Sequence, residues 1–333
     1  MPRLPGTIPP AGVGPGTSIG AVRYRQLGSS GLTVSVVGLG CNNFGARMAD
    51  EDTAPVVHAA LDAGITLFDS ADVYGNGGGS ETLLGAALGR RRDDIVLATK
   101  FGADMAGANG PDWGVRGSRR YIRRAVEASL RRLGTDWIDL YQMHTPDPAT
   151  TIEETLAALT DLVTEGKVRY LGSSNFAGWQ VLDADWTART RGLERFVSGQ
   201  NEYSWLNRAI EAELIPALRH TRQGLIPFFP LASGLLTGKY RRGRPAPPGS
   251  KLAKIPERLA AADFDRIEAI ELFAADRGLT VLQVAIGGLA ACEPVSSVIA
   301  GATSAEQVRA NTAAADWVPA AEDLSALREM TAR

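Results

Sequence analysis

An acid, a phenol, an ammonium and an imidazole stand at Asp69, Tyr74, Lys100 and His144, each at or just beyond the end of a short apolar run. Asp69 closes Leu67-Phe68. Tyr74 follows on a loop that continues as Gly75-Asn76-Gly77-Gly78-Gly79, Lys100 follows Ile95 to Thr99, and His144 follows Trp137 to Met143. A phenol with a pKa of about 10 is a poor acid at neutral pH. A neighbouring ammonium favours the phenolate and lowers that pKa, and a carboxylate beside the ammonium keeps it charged and oriented. An imidazole near the same substrate oxygen can hydrogen-bond it or share the proton. Such a set protonates an oxygen, an effect worth about 10²–10⁴ in rate. It contains no nucleophile, no paired carboxylates and no metal ligands, so a cofactor must supply the other half of the reaction. Taken singly, each residue has an ordinary structural role: a turn cap, a rim aromatic, a solvated lysine, a satisfied histidine. Their placement at the same end of successive strands argues for chemistry.

The elements that would position them alternate strictly. Val36 to Gly40, Ile65 to Phe68, Ile95 to Thr99, Trp137 to Met143, Val168 to Gly172, Phe196 to Gly199, Gly224 to Phe228 and Val298 to Ala300 read as strands, each followed by a helical stretch. Near-continuous apolar strands between helices indicate a parallel sheet covered on both faces. Eight such units predict an α/β fold, a (β/α)8 TIM barrel, whose chemistry sits at the C-terminal ends of the strands. An open doubly wound sheet is the runner-up. The one early glycine-rich turn, Gly75 to Gly79, lacks the G-x-G-x-x-G pattern that such a sheet uses for a dinucleotide. Further polar strand ends, Ser173-Ser174-Asn175 and Gln200-Asn201, point to the same mouth. Tyr24 to Leu27 and Leu32 to Val34, joined through Gly28-Ser29-Ser30-Gly31, predict a β-hairpin ahead of the barrel. Between strands seven and eight, Arg241-Arg242-Gly243-Arg244 and the prolines after it predict a mobile basic loop.

Composition narrows the function. The 333 residues and 44% hydrophobic content suffice for one large core, and the net charge of -2 gives no sign of nucleic acid or an anionic membrane as partner. Val281 to Cys292, the longest near-apolar run, is too short to span a bilayer. Cys41 and Cys292 offer neither a disulfide framework nor a metal cluster, and His58, His144 and His220 are too scattered for a metal site. A reducing, cytoplasmic location is the default expectation. From Pro2 to Gly20, ten of nineteen residues are Pro or Gly. Residues 1–22 are therefore expected to form a flexible leader, and residues 23–333 one barrel domain.

The motifs carrying these residues resemble the aldo-keto reductases, in the branch of bacterial reductases and voltage-gated potassium channel β-subunits. They are Phe68-Asp69-Ser70-Ala71-Asp72-Val73-Tyr74-Gly75, Ala98-Thr99-Lys100-Phe101-Gly102, Ile138 to His144, Gly172-Ser173-Ser174-Asn175-Phe176, Pro230 to Tyr240, and Gly301 to Gln307. The match runs from about Tyr24 to Trp317. The resemblance implies the hairpin-closed barrel, a catalytic tetrad of Asp69, Tyr74, Lys100 and His144 with Tyr74 as proton donor, and NADPH extended across the mouth. Ser174, Asn175 and Gln200 would hold the nicotinamide amide, and Phe228 would stack on its ring. Pro230, Leu231, Ser233, Gly234, Leu235 and Lys239 would clamp the pyrophosphate. Gly301, Thr303, Gln307 and Asn311 would line the adenosine end.

The chain departs from its relatives in places. Gly40, Cys41 and Asn42 fall on the cofactor-facing wall, with Cys41 and Asn42 where many relatives carry Thr and an aromatic. Phe228 stands where Tyr is frequent. Many relatives grip the 2′-phosphate with a Lys-Ser pair and an Arg after the last strand, where this chain has Gly301, Ala302 and Gln307. The 2′-phosphate would then need Lys239, Lys251 or the Arg241–Arg244 loop, and NADPH is expected ahead of NADH. The expected substrate is a small carbonyl or alcohol, with a sugar among the candidates. Protein partners are unspecified. Two other readings remain: an NADPH-binding regulatory subunit with slow turnover, and an unrelated barrel isomerase using Lys100 or His144.

Overall fold

The computed structural model describes residues 22–332, so the leader expected over 1–22 lies, except for Val22, outside the described residues. β1 (Tyr24–Gln26) and β2 (Thr33–Ser35) form the expected antiparallel hairpin, with Arg25 opposite Val34. Eight parallel strands follow: β3 (Val37–Gly40), β4 (Leu67–Asp69), β5 (Val96–Phe101), β6 (Ile138–Met143), β7 (Val168–Ser174), β8 (Phe196–Gln200), β9 (Gly224–Leu225) and β10 (Val298–Gly301). Their order in the sheet is the order in the chain, with β10 paired to β3. The ring closes between β9 and β10 through Ser296 N–H to Leu225 O at 2.8 Å and Ile299 N–H to Pro227 O at 3.0 Å. β9 is short because Pro227 has no N–H to donate. Its direction is kept by Ile226 N–H to Gly199 O at 2.9 Å and Phe228 N–H to Asn201 O at 3.1 Å.

The helices are α1 (Thr53–Asp62), α2 (Tyr74–Leu88), α3 (Arg119–Leu133), α4 (Ile152–Thr164), α5 (Gly178–Arg191), α6 (Leu214–Thr221), α7 (Pro256–Ala260), α8 (Phe264–Asp276), α9 (Val281–Ala290), α10 (Ala305–Ala314) and α11 (Ala321–Met330). α3 shows why they form where they do. Tyr121, Ile122, Ala125, Val126, Leu130 and Leu133 recur at helical spacing on the buried face, Ser118 Oγ caps the start, and Gly134 ends the helix at φ 63°. No single helix among the described residues is long and apolar enough to cross a membrane.

Two cores result. The larger lies between sheet and helices, and the smaller, inside the barrel, joins hairpin residues Leu27 and Val34 to Leu67, Val96, Leu140 and Ile299. The hairpin thus plugs the end of the barrel opposite the strand C-termini. Its turn is fitted closely: Gly28 has φ +60°, and a Cβ there would lie 2.6 Å from Gly224 N. That sealed floor leaves the C-terminal mouth as the one place where inward-facing polar residues can meet a ligand.

Candidate active site

The strand ends deliver Asp69 from β4, Lys100 from β5 and His144 from just beyond β6 to this mouth. Tyr74 arrives differently. Tyr74 opens a left-handed turn that leads into the helix expected from Glu81: Gly75, Asn76, Gly77 and Gly78 have φ of 68°, 59°, 90° and 110°. Three of the four are glycines, for which this region carries no steric cost. A Cβ on Gly75 would stand 2.4 Å from Ser80 N, so the turn is tight as well as left-handed. It swings the Tyr74 side chain back over the mouth.

There Lys100 Nζ donates to Asp69 Oδ2 at 2.6 Å and to Ser70 O at 2.8 Å, and stands 3.5 Å from the Tyr74 hydroxyl. The imidazole of His144 meets the Tyr74 ring edge-on, with centroids 5.8 Å apart. Lys100 is fully buried. Burial alone would discharge it, but Asp69 and the Tyr74 oxygen outweigh that and hold its pKa above the usual lysine range. For Tyr74 the balance corrects the sequence expectation. Lys100 does act to lower the phenol's pKa, yet burial is the larger influence and leaves it above its ordinary value. The hydroxyl therefore keeps its proton at neutral pH and can donate it.

Burial, and then the Lys100 charge, push the His144 pKa down to about 3 from 6.5. Its Nδ1 is buried without a partner, so the ring sits in the mouth as a neutral imidazole. The unfolded chain takes up a proton near the ordinary value, and the folded chain only near the lowered one. Stability is therefore full above the unfolded pKa and falls as pH drops between the two, by at most roughly 1.4 kcal/mol per pH unit. His144→Gln is expected to flatten this part of a Tm-against-pH curve. An unchanged acid limb in the variant would assign the loss to another group.

One residue beside Asp69 was not singled out from the sequence. Gln142 Nε2 donates to Asp69 Oδ1 at 3.0 Å, and Gln200 Nε2 donates to the same oxygen at 2.9 Å and to Gln142 Oε1 at 3.0 Å. Strand alternation could have found it: Gln142 lies two residues before His144 and so shares its inward face. The donor of Gln200, expected at the nicotinamide amide, is committed to Asp69. Asn175, at φ 60°, donates from Nδ2 to His144 O at 2.9 Å and to Ser174 Oγ at 3.1 Å. Cys41 and Ser174 are fully buried, so neither presents surface to a ligand in this conformation. Cys41 is tied to the mouth through its backbone. Its backbone N–H bonds Asp69 O at 2.9 Å, and its carbonyl accepts from Ser80 Oγ at 2.8 Å.

The rest of the expected cofactor contacts form a track from β9 round to α10. Phe228 and Phe229 are half-buried and meet edge-on at 5.2 Å. Phe229, Ala232, Ser233 and Gly234 all have positive φ, with Pro230 and Leu231 between them. Within this run Ala232 N–H bonds Phe229 O at 2.9 Å and Gly234 N–H bonds Leu231 O at 2.8 Å, and Pro230 has no N–H to offer. Ser233 Oγ and Ser250 Oγ are buried there without partners. Lys251 Nζ stands over the Phe229 ring, 4.6 Å from its centroid, and burial followed by the charges of Arg47 and Arg258 pushes its pKa to about 8. Lys239 and Lys251 make no ion pair among the described residues. Leu235 is buried beneath the run. Orphaned hydroxyls beside ammonium groups that have no ion pair among the described residues fit a diphosphate.

Arg241 pairs with Glu271, and Arg242 with Asp265 and Glu268, all on α8. Arg241 and Arg242 are thus paired to acids of α8, while Lys239, Arg244 and Lys251 have no ion pair among the described residues. At the far end, Gly301 closes β10 beside Asn42 and Asn43, Thr303 N–H donates to Gln307 Oε1 at 2.9 Å, and Asn311 is nearly buried on α10. Gly40 lies against Ile299, whose methyl a Cβ would meet at 2.8 Å. Among the described residues no group of His, Cys, Asp and Glu could hold a metal ion.

The family model for the aldo/keto reductase family matches residues 36–332, which carry both the barrel and the mouth. The chain belongs to the aldo/keto reductase family. An uncharacterized oxidoreductase of Bacillus subtilis is 37% identical over 295 residues, covering 86% of this chain and 89% of the relative. A protein of Arabidopsis thaliana named "Probable voltage-gated potassium channel subunit beta" is 36% identical over 310 residues, covering 90% and 92%. The L-glyceraldehyde 3-phosphate reductase of Escherichia coli K12 is 34% identical over 308 residues, covering 89% and 88%. This aldo/keto reductase is thus an oxidoreductase of the branch that holds both bacterial reductases and channel β-subunits.

Proposed function

We propose that the protein reduces a small aldehyde or ketone to the alcohol with NADPH, and that Tyr74 protonates the carbonyl oxygen. One observation carries this reading: a neutral phenol at the mouth lies 3.5 Å from a buried ammonium that is itself held by Asp69 at 2.6 Å. When bound, NADPH supplies the hydride that the carbonyl carbon receives. The chain's own groups manage the oxygen. Tyr74 gives its proton as negative charge develops there, and Lys100 stabilises the phenolate left behind. Asp69, gripped by Gln142 and Gln200, keeps Lys100 charged and aimed. The neutral His144 orients the substrate oxygen as a hydrogen-bond donor. The alcohol product runs the same steps in reverse, with Tyr74 accepting the proton.

Ser233, Lys239 and Lys251 would hold the diphosphate and the extra phosphate. Asn175 and the free carbonyl oxygen of Gln200 would face the nicotinamide amide, and Phe228 its ring. Lys251→Ala is expected to weaken NADPH binding by about tenfold or more and NADH binding by less, the range of a charge-assisted hydrogen bond. Titration of both cofactors by fluorescence quenching checks this, and equal losses would move the 2′-phosphate elsewhere. The reaction itself is tested by following nicotinamide absorbance with NADPH against a panel of aldehydes, ketones and sugars, phosphorylated trioses included because one relative carries that name. Turnover on any of them supports the reading. Tight NADPH retention with no turnover would instead favour a binding subunit like the channel β-subunits.

A further inference from the structure

Behind the Tyr74 turn lies a buried polar cluster that the reaction does not use. Asp72, Glu81, Thr99, Ser129 and Tyr141 have no accessible surface, and Asn109 almost none. Arg132 is the cation in contact with them. Its Nε donates to Glu81 Oε2 at 2.7 Å, and Thr99 Oγ1 donates to Glu81 Oε1 at 2.5 Å. Asp72 is reached only indirectly: Arg132 Nη1 donates to Asn109 Oδ1 at 3.2 Å, and Asn109 Nδ2 to Asp72 Oδ2 at 3.0 Å. Asp72 Oδ1 has no partner, and neither has the Tyr141 hydroxyl.

Two buried carboxylates thus share one guanidinium, and Glu81 has it. Lys100 is spent on Asp69. An uncompensated buried carboxylate is costly enough that the group takes a proton instead. The same groups face Asp72 from each neighbouring element: Glu81 from α2, Arg132 and Tyr121 from α3, Asn109 from the loop after β5, Tyr141 from β6. Burial first and then Glu81 push its pKa up to about 8, against Arg132, the Val73 N–H and Asn109.

The cluster is also tied to the proton donor at both ends of its turn. Asp72 N–H donates to Lys100 O at 3.1 Å, two residues before Tyr74. Gly78 packs so closely on Arg132 that a Cβ would lie 2.3 Å from its Cδ. Arg132 therefore supports the turn directly at Gly78 and through Asn109 at Asp72.

We propose that Asp72 is a positioning residue for Tyr74: as an uncharged acid it lets the 72–78 turn close on Asn109 and Arg132, and its ionisation displaces the turn and takes the Tyr74 hydroxyl away from Lys100. The inference rests on Tyr74 being the proton donor. Carbonyl reduction then declines on the alkaline side with the loss of the Asp72 proton, well before Tyr74 itself ionises. Asp72→Asn keeps the shape and the uncharged state at every pH. The ratio of its kcat to that of the unaltered protein is expected to rise about tenfold between about pH 7 and pH 9, as a single group titrating near the middle of that interval requires. The Kd for NADPH, measured alongside, is expected to show no such trend. A flat kcat ratio overturns the proposal.

A second measurement does not depend on the variant folding. Infrared difference spectra of the unaltered protein, with its aspartates carbon-13 labelled, are expected to show a buried protonated aspartate carboxyl at about pH 7 that disappears near pH 9. Absence of that band at the lower pH overturns the proposal too. Normal turnover by Tyr74→Phe would remove the reading on which the inference rests, while the infrared band would still report the state of Asp72.

Discussion

Tyr74→Phe is expected to lower kcat for carbonyl reduction by about 10³-fold or more, while the Kd for NADPH stays within about twofold. The substitution removes one oxygen and leaves the ring. That ring keeps its edge-on contact with His144, and the Lys100 ammonium stays 4.9 Å from its centroid. Neither contact needs the hydroxyl, so the turn should hold its shape. The loss falls on the proton transfer alone. Water could enter and replace the donor, but it would lack the ammonium alignment and would leave a measurable residue of activity. Steady-state kinetics on the best substrate, with cofactor titration by fluorescence quenching, decides the matter. A variant that reduces carbonyls within about tenfold of the unaltered protein would sink the assignment of Tyr74 as donor.

Lys100→Met is expected to fail in two ways at once. Turnover is lost because the Tyr74 phenolate has no cation to stabilise it. Stability falls by about 3–5 kcal/mol because a buried pair is broken from one side. Both partners are deep, with side-chain exposures of 0% for Lys100 and 5% for Asp69. After the substitution Asp69 retains Gln142 and Gln200 as donors but no positive charge, and it must either stay ionised at a cost or take up a proton. Adding Asp69→Asn to the same chain removes the stranded charge. The double variant is expected to regain at least half of the lost stability and none of the activity. Denaturant unfolding curves and the nicotinamide assay measure the two effects separately. If the single variant unfolds with the unaltered protein, Lys100 and Asp69 are not a compensated pair.

Much of this was legible in the sequence for identifiable reasons. The runs of β4 to β8 each end in a polar residue because the strands are buried on both faces and open to a ligand at one end, and that contrast survives in one dimension. Asp69, Lys100 and His144 were found by it. Gln142 was missed because it lies one strand period inside the run, where a single polar residue reads as noise until the inward face is known. The Tyr74 turn was read only as a loop before Ser80, since four successive positive φ values are a property of backbone geometry that three glycines permit but do not announce. The pairing of Arg241 and Arg242 was not foreseen because its acids, on α8, lie 23 to 30 residues further on. The sign of the Tyr74 shift also needed three dimensions. A nearby ammonium can be inferred from strand order, but the burial that outweighs it cannot.

The hairpin plug has a consequence for how the chain is made. Arg25, at the start of the plug, is held by the carbonyls of Ala290 and Val295, 265 and 270 residues further on. Gly28 is seated against Gly224, and Leu27 and Val34 complete the small core inside the barrel with Ile299. Synthesis at roughly 5–20 residues per second would keep the hairpin waiting on the order of 15 to 50 s for those partners to leave the ribosome. For that interval the inner faces of the early strands have no floor, and their apolar surface is open to other nascent chains. Contacts of such long sequence separation also slow the final step once the chain is free. The order of translation therefore makes the barrel mouth, which is assembled from β4 to β8, the first part of the site whose strands are all available, and the closing seam the last. A nascent chain stalled before β10 would carry every member of the Asp69–His144 set without the strand that closes the ring around them.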